Sequence, residues 1–64
     1  MANFYRDIVE ILKRHGCTFV RQGKGDHEIW FSPILERKFS VDHGVVKRHT
    51  ANGILKDAGI SKAF

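Results

Sequence analysis

Residues 17–33 read CTFVRQGKGDHEIWFSP, and this stretch decides the fold. Phe19 and Val20 centre a short segment, Cys17 to Gln22, that suits a strand. Gly23-Lys24-Gly25-Asp26 follows, a turn of the kind that joins antiparallel strands. His27 to Ser32 carries Ile29, Trp30 and Phe31, residue types that favour a second strand. Ser32-Pro33 ends it, because proline has no N–H to give to a ladder. Side chains alternate across a strand, so Trp30 points away from the face of Ile29 and Phe31. If its face is bare, Trp30 is a contact for a partner or RNA. The other reading buries it partly under a loop such as Ser32 to Arg37. Glu28 shares its face and is expected to be solvated.

Outward from the hairpin, Lys38-Phe39-Ser40-Val41 alternates and predicts a third strand, with a loop at Asp42-His43-Gly44. Before the hairpin, Phe4, Ile8, Ile11 and Leu12 recur on one helical face. Asn3 can cap this helix. Lys13, Arg14 and His15 suit the negative end of its dipole, and Gly16 is a natural residue to stop it. The first helix is expected over Asn3 to His15. After the third strand a helix starts between Lys47 and Thr50, with Ala51, Ile54, Leu55 and Ala58 on its core face. Gly59 ends it, and Ile60 to Phe64 is expected to cap the core. The order α-β-β-β-α predicts an α+β two-layer domain, an antiparallel three-stranded sheet with both helices on one face. Double-stranded-RNA-binding domains share this order of elements.

Sixty-four residues make one domain, expected over 1–64, that buries only about 60% of its unfolded surface. One cysteine, Cys17, allows no internal disulfide and fits a reducing cytoplasm. The longest apolar run is Ile29-Trp30-Phe31, so neither a membrane-spanning helix nor a signal peptide is expected. The net charge is +4 with 42% hydrophobic residues, which describes a folded basic domain. Such a charge either attracts a polyanion, most often nucleic acid, or simply keeps a small protein soluble.

Four histidines raise the question of zinc. His15 and Cys17 are too close, His43 and His49 are far from a second cysteine, and no C-x-x-C is present, so no metal site is expected. Gly23-Lys24-Gly25 opens like a dinucleotide fingerprint, but the third glycine is missing and a strand follows where a helix should. Cys17 follows a helix end, where no positive dipole activates a thiol.

His27 stands apart. It opens a strand directly after the Gly-rich turn, where backbone N–H groups and Lys24 could hold a phosphate. An imidazole, ordinarily near pKa about 6.5, can take or give a proton at neutral pH. RNA carries its own nucleophile in the 2′-OH, so cleavage there requires no metal. The plain alternative is an exposed strand histidine without a role. Lys47, Arg48 and His49 open the last helix, whose N-terminus attracts phosphate, and they are either RNA contacts or a solvated basic run. Arg37 and Lys38 either extend a phosphate path or protect an edge strand.

The stretch Arg21 to His27 (R-Q-x-x-G-x-H), the helix end Lys13-Arg14-His15-Gly16 and the closing run Ile54-Leu55-Lys56-Asp57-Ala58-Gly59 through Ser61 together resemble the HicA toxins. The resemblance runs from about Asp7 to Ser61. It implies a fold like that of double-stranded-RNA-binding domains and the toxin of a type II toxin–antitoxin pair. It also implies cleavage of mRNA and neutralisation by a HicB-like antitoxin; with no set of metal ligands in the sequence, the expected cleavage is metal-independent and needs no small-molecule cofactor. The family's key histidine corresponds to His27 and its glycine to Gly25. Lys24 would help hold the scissile phosphate, and Lys47 and Arg48 would bind RNA. Asp26 stands where the family usually has serine, placing a carboxylate that repels phosphate or orients the imidazole. The loop at Val41-Asp42-His43 lacks the proline that family members often carry. The rival classes are a non-catalytic RNA-binding module and a domain that binds an antitoxin without nuclease activity.

Overall fold

A computed structural model describes residues 3–64, so Met1 and Ala2 of the expected domain lie outside the described residues. The elements run α1 (Tyr5–Arg14), β1 (Thr18–Gln22), β2 (His27–Ser32), β3 (Arg37–Asp42) and α2 (Arg48–Asp57). The strands form one antiparallel sheet in the order β1-β2-β3. This is the expected α+β arrangement, consistent with the fold of double-stranded-RNA-binding domains.

α1 is two residues shorter at its start than expected and stops at Arg14. Asn3 still serves it, since its side-chain oxygen accepts the Tyr5 N–H at 2.9 Å. Glu10 and Arg14 pair at 2.6 Å on the outer side. Ile8 and Leu12 are fully buried, facing Ala51, Ile54, Leu55 and Ala58, the residues that periodicity assigned to α2. Gly59 follows with φ of +82°, and a Cβ there would come within 2.8 Å of the Leu35 side chain. Only glycine fits, because both the left-handed backbone and the close approach exclude a side chain. The tail folds back as expected. Ile60 is buried, the Phe64 ring packs tilted against Phe4 with centroids 4.9 Å apart, and the Asn52 amide bonds residues 63 and 64.

The hairpin departs from expectation in which face it buries. The helices cover Glu28, Trp30 and Ser32, and leave Ile29 and Phe31 on the open side. Trp30 is 3% exposed and belongs to the core, so it is neither a bare surface contact nor the partly buried residue of the other reading. Glu28, expected in solvent, is 8% exposed. Register explains both. β2 pairs Trp30 with Phe39 and Glu28 with Val41, and cross-strand partners share a face. The face holding Phe39 and Val41 is the more apolar side of β3, so it goes inward and takes Trp30 with it. Burying Trp30 requires an acceptor for its indole N–H, and Glu28 supplies one at 2.9 Å. Ser32, also buried, donates to the Ala58 carbonyl at 2.6 Å and ties β2 to the end of α2. β1 is wholly exposed, and Phe19 and Val20 stay outside the core.

Candidate nucleic-acid site

The site is built at the end of the sheet where β2 begins. Gly25 has φ of +58°, a left-handed turn conformation that glycine adopts without strain. The turn closes by backbone bonds from His27 N–H to the Lys24 carbonyl, 3.1 Å, and from Gly23 N–H to the His27 carbonyl, 2.8 Å. The Gln22 side-chain amide clasps the same turn. Its nitrogen donates to the carbonyls of Gly25 and His27 at 3.1 and 3.0 Å. Gln22 is thus a positioning residue that strand patterning gave no reason to single out, although it lies inside the R-Q-x-x-G-x-H stretch. The His27 side chain is exposed, and Lys24 and Asp26 flank it in the turn.

Behind the turn lies a braced polar cluster. His43 N–H donates to the Asp26 carbonyl at 2.9 Å, which ties the loop after β3 to the turn. The Glu28 carboxylate receives the Tyr5 hydroxyl at 2.8 Å and the Trp30 indole at 2.9 Å through one oxygen. His43 Nε2 lies 2.7 Å from the other oxygen, outside hydrogen-bond geometry, and forms an ion pair with it when the ring is protonated. Burial pushes the Glu28 carboxyl up, but the contacts from Trp30, His43 and Tyr5 outweigh it and hold Glu28 below the ordinary carboxylate range. The Tyr5 phenol is pushed up to about 12, first by burial and then by Glu28. α1, β2 and the β3–α2 loop are thereby fastened together beside His27.

The remaining expected residues divide. Lys47 is the N-cap of α2 and Arg48 its first residue, both exposed. α2 has no side-chain cap and no acidic residue in its first turn, so its first N–H groups are left without a side-chain acceptor and with two cations beside them. Lys47 lies five residues beyond Asp42, which pairs with His27, so the chain between them spans at most about 17 Å. Arg37 is committed elsewhere. Its guanidinium donates to the Asp57 carbonyl at 3.2 and 3.0 Å and caps α2, which removes it from a phosphate path. Lys38 stays exposed, and the ion pairs among the described residues are Glu10–Arg14 and Glu28–His43. Cys17 is buried, and burial pushes its thiol up despite a bond to Ser32, the opposite of activation. Among the described residues no three His, Cys, Asp or Glu side chains converge as a metal site.

A family model described as the HicA toxin of bacterial toxin–antitoxin systems matches residues 5–60. The chain belongs to the HicA toxin family. The match spans both helices and all three strands, and it includes the turn at Gly25 and His27. Membership makes the chain a toxin of the toxin–antitoxin kind, with an antitoxin as its implied partner. No curated protein and no solved structure matched the chain. Among the described residues no helix is long and apolar enough to cross a membrane.

Proposed function

We propose that this HicA-family chain is an endoribonuclease that cleaves mRNA in the cytoplasm and is silenced by a HicB-like antitoxin. The observation that carries the reading is His27. Its imidazole is exposed at the mouth of a turn held by Gly25 and clasped by Gln22, with Lys24 beside it. In this reading a phosphate of the RNA sits against Lys24 and the turn. The preceding ribose 2′-OH attacks that phosphorus, a P–O bond forms, and the bond to the 5′-oxygen breaks. The products are a 2′,3′-cyclic phosphate and a 5′-hydroxyl. One proton leaves the 2′-OH and one reaches the 5′-oxygen. His27 performs one transfer as general base or acid, and water or another side chain performs the other. Such assistance is worth about 10²–10⁴-fold in rate, so a one-histidine enzyme is slow. Lys47 and Arg48, with the uncapped start of α2, bind the same RNA further along its backbone.

The test uses purified chain and RNA in EDTA. The wild-type chain should cleave, leaving cyclic-phosphate ends, and its expression alone should arrest bacterial growth. His27→Ala should fold normally by circular dichroism, lose cleavage by about 10²-fold or more, and relieve the arrest. His15→Ala and His49→Ala are controls that should keep activity. A folded His27→Ala that cleaves at the wild-type rate overturns the assignment. Salt-sensitive binding without cleavage by the wild type would select an RNA-binding module, and neither activity would select an antitoxin-binding domain.

A further inference from the structure

The sheet has a second face that no helix of the described residues covers. β2 runs down its middle and presents His27, Ile29 and Phe31. Ile29 and Phe31 are half-buried yet lie outside the core and the apolar side chains packed on it. Phe31 sits between Thr18 of β1 and Lys38 of β3, Ile29 sits between Arg21 and Ser40, and His27 lies beside Asp42.

Arg21 reaches this face through an irregularity. Strict alternation from Phe19, which pairs with Trp30 on the covered side, would return Arg21 to the covered side as well. The register slips between Phe19 and Arg21, so Arg21 pairs with Ile29 instead. A bulge that re-aims one cation onto an open face is a feature with a use. Its guanidinium keeps only a long 3.4 Å bond to the neighbouring Gln22 carbonyl, and Lys38 has no ionic partner among the described residues.

We propose that this open face is a track for single-stranded RNA. Phe31 is the platform on which a base stacks, and Arg21 and Lys38 hold the phosphates on either side. The proposal rests on the ribonuclease reading and adds a strand-binding surface beside that site. An aromatic ring on a sheet can stack only with an unpaired base, whereas a duplex keeps its bases turned inward. The two cations suit the phosphates of such a strand. Asp42 is the acidic group on this face, and it lies at the His27 end with its oxygen bonded to the Gly44 N–H at 2.9 Å. Four residues along β2 separate Phe31 from His27, about 14 Å, within reach of a short oligonucleotide.

The test measures binding of a labelled, unstructured oligoribonucleotide and of the same sequence as a duplex, by fluorescence anisotropy. Full-length chain carrying His27→Ala is used, so the probe stays intact. Adding Phe31→Ala should weaken single-strand binding by about tenfold or more, and Phe31→Trp should restore it. Arg21→Ala and Lys38→Ala should each flatten the salt dependence by about one unit. Phe31 lies outside the core, so these variants should keep the wild-type circular dichroism. The proposal is overturned if folded Phe31→Ala binds the single strand as its parent does, or if the duplex binds equally well through the same residues. It also fails if Phe31→Ala only abolishes self-association or antitoxin binding, measured by sedimentation, because the face is then a protein interface. The ribonuclease reading is judged separately, by whether the wild-type chain cuts RNA. Cleavage with Phe31 dispensable sinks the track alone, and binding through Phe31 without cleavage sinks the nuclease alone.

Discussion

Glu28 and Trp30 carry most of the difference between a plausible hairpin and the real one. A carboxylate in a strand beside an exposed turn reads as solvated, because an unpaired buried charge is costly. Here the cost is offset by Tyr5, Trp30 and His43, which come from 23 residues upstream, two residues along and 15 residues downstream. No local pattern reports that convergence. The chain has a single tyrosine, so the cluster can be read directly. The phenolate absorbance of Tyr5 should titrate near 12 in the folded chain, and in Glu28→Gln it should fall toward the ordinary value of about 10. The linkage has a definite sign at each end of the scale. Tyr5, with its folded value raised, contributes stability that is complete below about pH 10 and is lost as pH rises toward 12. Glu28, with its folded value lowered, contributes stability that is complete above about pH 4.3 and is lost as pH falls through the lowered value. Acid unfolding of Glu28→Gln should lack that second component. Gly25 was legible by contrast, because a left-handed turn before a strand demands glycine locally.

The helices were readable as elements and the strands only in part. Ala51, Ile54, Leu55 and Ala58 recur with helical period and all four are buried. A period of 3.6 has one apolar side, so the sequence names the inward face without a partner. Leu55 is fully buried, and Leu55→Ala should cost about 2–5 kcal/mol. In a domain of this size that is a large share of the total, so its melting temperature should drop sharply by calorimetry. An unchanged melting temperature would show that α2 packs through another face. A strand offers two faces at equal spacing, and β2 carries large apolar residues on both. Its inward side follows from the short connection to β3, which sets Ser32 against Arg37 and hence Trp30 against Phe39. The alternation of β3 held the necessary signal, but only once the register was known. The bulge in β1 left no clear mark in residues 18–22.

Across the whole molecule, charge was visible and its arrangement was not. A net charge of +4 says that a polyanion is a reasonable partner, but not where it lies. The fold takes Arg37 out of play as the cap of α2 and leaves Lys24, Lys47 and Arg48 exposed. If Lys47 and Arg48 contact RNA, the double variant Lys47→Glu with Arg48→Glu should weaken binding. It should also flatten the salt dependence by about two units, which a titration of affinity against salt would measure. An unaltered slope would make the start of α2 a solvated face.

The sequence by itself determined the order of elements, the inward faces of both helices, the Gly-rich turn with His27 at its exit, and the family. These rest on short-range regularities: helical periodicity, glycine's access to left-handed backbone, and three short motifs that occur in order along the chain. Tertiary structure alone decided which face of the hairpin is covered, that Tyr5 and His43 reach Glu28 from far along the chain, and that Arg21 turns to the open side while Arg37 does not. Each of those depends on strand register and on contacts between residues far apart in the chain, and a one-residue slip in pairing reverses every side chain that follows it.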